Sequence, residues 1–274
     1  MRFFMRVLDF YIQSSIHVAL AAAALVVMTQ HMFDLSLDWP IIGFVFFGTV
    51  VGYNFVKYDA LARIHKLQVG TRIKAIAALS LVCFIGAGYC YFRLNLITQV
   101  VAGLFVLLTL LYTLPFFPNR RNARNWAGVK IYIVALCWVG VTLVLPVLDA
   151  GISITSDFYL KCVQRFIFIF VLILIFEIID IATDDPHLQT VPQKIGIYAT
   201  KRLGIILLLF FYMLELLKSE IDHLQLIINA ALLVLMSVLL LYANPRRPKY
   251  YSLFWAELLP VTWLILLLIG ERFL

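Results

Sequence analysis

The feature that most constrains this chain is a succession of apolar runs, each about as long as a membrane's hydrocarbon core is thick. A helix needs roughly 20 mostly apolar residues to cross about 30 Å at 1.5 Å per residue. Nine such runs can be drawn, at 10–30, 39–57, 73–92, 95–117, 127–148, 158–180, 198–217, 223–243 and 251–270, each bounded by charge or proline. Stretches such as IFIFVLILIF (167–176) carry no alternation of polar and apolar residues, which argues against a barrel of strands and for an all-α bundle. Only 14% of the 274 residues are charged and 64% are hydrophobic, so lipid is the solvent this chain is built for. The expectation is one polytopic membrane domain, residues 1–274, with nine transmembrane helices.

The charges are sorted by side. With the N-terminus inside, Arg2 and Arg6, then Arg63, Lys66 and Arg72, then Arg120, Arg121 and Arg124, then Lys194, Lys201 and Arg202, then Arg246, Arg247 and Lys249 all fall on one face. The other connections carry Asp34 and Asp38, Asp149 and Asp157, Glu220 and Asp222. By the positive-inside rule the basic face is cytoplasmic, and an odd number of crossings puts the C-terminus outside, as expected for a multi-pass protein of the bacterial inner membrane. The net charge of +7 is thus assigned to topology. Nucleic acid is not expected as a partner, because no soluble segment interleaves basic and aromatic residues. Cys83, Cys90, Cys137 and Cys162 lie in the runs without ligand spacing and read as small buried side chains. MRFFMRVLDF lacks a small-residue cleavage site, so the first helix is expected to be retained.

Ionisable groups inside spans cost about 2.5–3.5 kcal/mol each, so a cluster of them needs a partner or a task. The sixth run ends in FEIIDIATDDPHLQTVPQKIG, where Glu177, Asp180 and Asp184 share one helix face and Asp185 stands beside them. Carboxylates that close require solvation, protonation or a cation. Mg²⁺ is the expected cofactor, because it takes one or two carboxylates together with substrate phosphate oxygens. The competing reading is a solvated helix end at the membrane surface. The second run ends in GTVVGYNFVKYDALARIHK on the same side, with Gly48 and Gly52 in the spacing that lets helices approach, then Asn54, Asp59 and Arg63. In YTLPFFPNRRNARNWAGVK, Arg120, Arg121 and Arg124 read as headgroup contacts, while Lys130 lies deeper, within reach of a diphosphate.

These segments resemble the UbiA-type intramembrane prenyltransferases, bundles of nine helices with two Asp-rich motifs on cytoplasmic helix ends. The family's second motif, D/E-x-x-D-x-x-x-D followed by T-x-P and glycine, is matched by Glu177, Asp180, Asp184, Thr190, Pro192 and Gly196. YTLP at 112–115 and GVKIYIVALCW at 128–138 resemble its middle segment. The first motif, N-x-x-x-D-x-x-x-D, departs from the family: Asn54 is kept, Phe55, Tyr58 and Ala62 hold the acidic places, and Asp59 is displaced by one residue, about 100° of helix rotation.

The resemblance implies transfer of an isoprenoid chain from a prenyl diphosphate to an aromatic or other lipophilic acceptor. Glu177, Asp180 and Asp184 would be the catalytic and Mg²⁺-holding residues, and Asn54, Asp59, Lys130 and Arg63 would bind substrate. Two other readings stay open: a non-catalytic relative that binds lipid or a protein partner, and a small-molecule transporter. Arg165 is expected to snorkel to the outer interface, Glu257 to hydrogen-bond in the bundle or border its cavity, and His65 or His187 to serve as a base or lie in a surface loop. The oligomeric state and the acceptor are not read from the sequence.

Overall fold

The computed structural model describes the backbone of residues 2–64, 70–114 and 128–273, and the side chains of these residues apart from 2–4, 59–64 and 273. The helices are α1 Arg2–Gln13, α2 Ile16–Met32, α3 Trp39–Ile64, α4 Thr71–Tyr91, α5 Leu96–Thr113, α6 Lys130–Val139, α7 Leu145–Asp149, α8 Ser156–Asp180, α9 Val191–Ile195, α10 Ile197–Glu215, α11 His223–Tyr242 and α12 Leu259–Phe273. A π-helical turn, Gly140–Val144, joins α6 to α7 within one span, and a second, Tyr251–Ala256, begins the last span. Among the described residues eight helical segments are long and apolar enough to cross a membrane, and α1 with α2 forms a bent pair that makes nine.

The bend corrects the first expected span. Ser15 sits in the left-handed region at φ 64, and α1 meets α2 at 60°. Arg6, Asp9 and Gln13 recur at intervals of three and four, so the described part of α1 has one polar stripe on an otherwise apolar helix, the pattern of a helix lying in a membrane interface. α2, 17 residues and about 25 Å long, carries most of the apolar length of the pair.

The helices α2, α12, α11, α10, α8 and the span of α6, the π turn and α7 pack as a closed ring, the π turn returning onto α2, with α3 and α4 added outside α2. α4 lies on α3 and α3 on α2; α6 packs on α8, α8 on α10, α10 on α11, α11 on α12, and α12 returns to α2. His31 Nε2 and a Glu271 carboxylate oxygen, 2.9 Å apart, link α2 to α12 near their C-terminal ends, so these two helices run in the same direction. α8 carries most of the core: Phe168, Val171, Leu174, Ile175 and Ile178 are sealed among Leu208, Phe211, Leu232, Met236 and Trp263.

Close approach is made by other glycines than expected. At Gly48 and Gly52 no neighbouring atom stands within 4 Å of where a Cβ would lie. Gly43 instead lets Cys90 Sγ come to 2.8 Å of that position, Gly86 receives the Phe47 ring, and Gly140 is covered by the Phe105 ring. Gly140→Ala is therefore expected to cost about 1–3 kcal/mol through overpacking. Gly48→Ala should be neutral or slightly stabilising, because only helix propensity changes there. Detergent unfolding midpoints of the two variants check this; equal losses would refute the assignment.

Arg165 does not snorkel. It is 1% exposed, with Nη1 donating to the Leu25 carbonyl (3.2 Å) and Thr142 Oγ1 (3.0 Å), Nη2 donating to Thr29 Oγ1 (3.3 Å), and the guanidinium over the Trp263 ring. The π turn exposes the Thr142 carbonyl, which Thr29 Oγ1 caps at 2.7 Å. Inward acceptors and an aromatic face thus hold the cation in the bundle.

At the same depth as the α8 N-terminus lies a polar cluster formed by three helices. The Glu215 carboxylate on α10 accepts from Lys161 (3.1 Å) and Gln164 (2.9 Å) of α8, from Asn229 of α11 (2.9 Å), and from Lys218. Glu215 is 0% exposed.

Candidate functional site

The C-terminal end of α8 carries the acidic motif. α8 ends at Asp180, but the Asp184 amide still donates to the Asp180 carbonyl at 2.8 Å, so the three- and four-residue spacing of Glu177, Asp180 and Asp184 is kept past the helix end. Thr183 N and Oγ1 donate to the same carbonyl and close the turn. Glu177 is buried, and its Oε2 accepts from the Val191 amide at 3.0 Å, which ties the helix to the T-x-P segment at the start of α9. Asp184 Oδ2 is buried and has no hydrogen-bond partner among the described residues. Asp185 is committed elsewhere: its Oδ1 accepts from the His187 amide (2.9 Å) and caps the turn Pro186–Leu188, where His187 is exposed.

Gly128 brings the start of α6 onto this loop. Its φ of 72 favours glycine, its amide donates to the Leu188 carbonyl at 2.9 Å, and a Cβ there would meet Lys194 Nζ at 3.4 Å. Lys130, two residues on, acts electrostatically on both Glu177 and Asp180. Lys249, just before the last span, acts on Asp180 as well, and Asp184 on both. Two carboxylates with free oxygens and two ammonium groups therefore share one end of the bundle, which suits a ligand carrying both metal and phosphate. Among the described residues, no three His, Cys, Asp or Glu side chains are gathered closely enough to hold one ion by themselves. A Mg²⁺ completed by substrate oxygens fits this donor set, and the buried, unpartnered Asp184 oxygen is the acceptor such an ion would satisfy.

The first motif is placed differently. Asn54 is buried and spends both amide hydrogens, on the Ser14 carbonyl (3.0 Å) and Ser80 Oγ (2.9 Å), while its Oδ1 accepts from Ser15 Oγ at 2.8 Å. It clamps α3 to the α1–α2 bend and to α4. The side chains of Asp59 and Arg63 lie outside the described residues, as does all of His65.

Sequence reasoning missed the group one turn along. Lys57 Nζ donates to Ser15 Oγ at 3.1 Å and interacts electrostatically with Glu257 across the bundle. Tyr53 OH accepts from Trp138 Nε1 at 2.9 Å and feels the same carboxylate. Glu257 follows the π turn Tyr251–Ala256, whose Phe254 carbonyl contacts His17 Nε2 at 3.0 Å, with the two rings stacked 5.1 Å apart. Since that carbonyl can only accept, Nε2 carries the proton and Nδ1 accepts from Tyr11 OH at 2.9 Å. The signal available in the sequence was a lysine, Lys57, within an apolar run and between Phe55 and Tyr58 of the departing motif.

No protein-family model and no curated protein matches the sequence itself. The fold, however, has solved counterparts. A UbiA homolog from Aeropyrum pernix K1 superposes with a TM-score of 0.62 at 12% identity, over 96% of this chain and 97% of that one. The fold is UbiA-type. A structure from work on digeranylgeranylglyceryl phosphate synthase in membranes gives a TM-score of 0.60 at 14% identity, over 97% of this chain and 99% of the other. In this UbiA-type bundle the acidic end of α8 faces the same side as the start of α10 and the end of α11, because each crossing reverses the chain.

Proposed function

We propose that the chain is an integral-membrane prenyltransferase, moving an isoprenoid chain from a prenyl diphosphate to an aromatic or other lipophilic acceptor. The observation that carries this reading is the buried carboxylate oxygen of Asp184, unpartnered among the described residues, beside an Asp180 on which Lys130 and Lys249 both act, at one end of a UbiA-type bundle. The names of the structural neighbours, a UbiA homolog and a digeranylgeranylglyceryl phosphate synthase, agree with it.

Asp180 and Asp184 would hold Mg²⁺, with Glu177 positioned by its hydrogen bond to Val191 rather than free to move. When bound, the ion supplies positive charge that stabilises the diphosphate as the allylic carbon–oxygen bond breaks. Lys130 and Lys249 would pair with phosphate oxygens. Two acidic motifs are replaced here by one acidic motif and lysines: Asn54 is a clamp, and Lys57 occupies the neighbouring turn.

The test is a titration of the purified protein with a long-chain prenyl diphosphate, with and without Mg²⁺, followed by an assay of turnover. Lys130→Met is expected to weaken binding about tenfold, the size of one charge-assisted hydrogen bond. An unchanged affinity would remove Lys130 from the site. A second reading, a non-catalytic descendant that binds lipid or a partner, is favoured by the commitment of Asn54 to helix packing. Mg²⁺-dependent binding without turnover on any acceptor would select it.

A further inference from the structure

A polar pocket lies at the same end of the bundle, between the second turn of α10 and the last turn of α11. It holds about 390 Å³ and is lined by Lys201, Leu241, Tyr242, Asn244, Arg246 and Arg247 among others, with no acidic side chain among the described residues. Three cations with no counter-charge favour an anion.

Their positions are built. Lys201 Nζ donates to the Leu241 carbonyl at 2.6 Å and Arg247 Nε to the Tyr242 carbonyl at 3.4 Å, so the last carbonyls of α11 are satisfied from within. The Arg247 guanidinium also lies over the Tyr251 ring, 5.5 Å from its centroid. Asn244 Oδ1 accepts from the Arg246 amide at 2.9 Å and shapes the turn that presents both arginines. Among the described residues the Arg246 side chain has no hydrogen bond or ion pair, so its guanidinium is available in full.

Depth identifies the ligand. Tyr242 and Tyr198, 61% and 85% exposed, stand at the helix ends where interfacial tyrosines belong. Beyond them, toward the middle of the spans, Leu241, Val238 and Val234 of α11 and Ile206 and Leu209 of α10 are exposed and apolar, a surface for acyl chains. A phosphate at the level of Lys201 would thus stand at headgroup height, with hydrocarbon directly adjoining it. Basic pockets between spans on the positively flanked side suit such headgroups.

We propose that this pocket binds the phosphate headgroup of an anionic glycerophospholipid from the surrounding leaflet, with Arg246 and Arg247 on the phosphate oxygens and Lys201 beneath them. The site is separate from the acidic end of α8 and does not depend on the transferase reading.

The test uses the full chain in a non-ionic detergent, following thermal unfolding against dioctanoyl phosphatidylglycerol, dioctanoyl phosphatidylcholine and inorganic phosphate. Phosphatidylglycerol alone should raise the midpoint in a saturable way. Arg246→Gln should weaken its apparent affinity about fivefold, and Arg246→Gln with Arg247→Gln about 25-fold. Because Arg247 also stacks on Tyr251, the single Arg246 variant decides the matter if the double variant unfolds. Mg²⁺-dependent binding of prenyl diphosphate by Arg246→Gln should be unchanged. An equal shift with phosphatidylcholine or with phosphate alone, an undiminished response in Arg246→Gln, or loss of its prenyl diphosphate binding would each overturn the assignment.

Discussion

Asp180→Asn is expected to abolish Mg²⁺-dependent binding of a prenyl diphosphate and to lower turnover by about 100-fold or more, the usual consequence of removing one preorganised electrostatic element from a transition state. The substitution keeps the side chain's size and removes its charge. Asp180 lies at the end of α8, where its backbone carbonyl, not its carboxylate, carries the local turn through Thr183 and Asp184. The fold should therefore survive, and the loss should be one of ligand affinity. Titration with and without Mg²⁺ measures it directly. Full transferase activity in Asp180→Asn would move the diphosphate site away from α8. Asp184→Asn is expected to behave similarly, because its buried Oδ2 has no partner to lose among the described residues.

Glu215→Ala carries the largest expected effect on stability, a loss of about 3–5 kcal/mol. Glu215 is the buried carboxylate that Lys161 and Lys218 both contact, and Gln164 and Asn229 also donate to it, while Asp157 acts on the two lysines from farther out. Without it the lysines either keep an uncompensated charge in the bundle or give up a proton, and two amide groups lose their acceptor. Glu215→Gln should cost less, since one acceptor oxygen remains. Unfolding in detergent with increasing denaturant separates the two; a loss under about 1 kcal/mol for the alanine variant would mean that water reaches the cluster.

The legible part of this protein was the part that each segment decides alone. In lipid every backbone group must be satisfied within its own helix, so the apolar runs at 39–57, 73–92, 158–180 and 223–243 correspond to spans Trp39–Tyr58, Thr71–Tyr91, Ser156–Asp180 and His223–Tyr242 with differences of a few residues. The same holds for the acidic motif, because the spacing of Glu177, Asp180 and Asp184 is a property of one helix. Even the polar stripe of α1 is present at Arg6, Asp9 and Gln13, although the apolar run at 10–30 takes the last turn of that helix into the span behind it.

Which way each helix faces was a different matter. A span that is apolar all round offers no polar side to mark its outward surface, so the sequence alone could not say that Arg165 turns inward to Thr29, Thr142 and Trp263, or that Gly140 rather than Gly48 is covered by a neighbour. The hydrogen-bond partners of Asn54, Ser14, Ser15 and Ser80, are likewise brought to it only by packing. Lys161 and Glu215 meet across 54 residues of chain, and Lys201 meets Leu241 across 40. The sequence by itself determined how many helices cross and which end of the bundle is acidic and basic, since lipid and charge act on each segment separately; the tertiary structure alone decided which side chains meet, because contact between helices is a relation that no single segment contains.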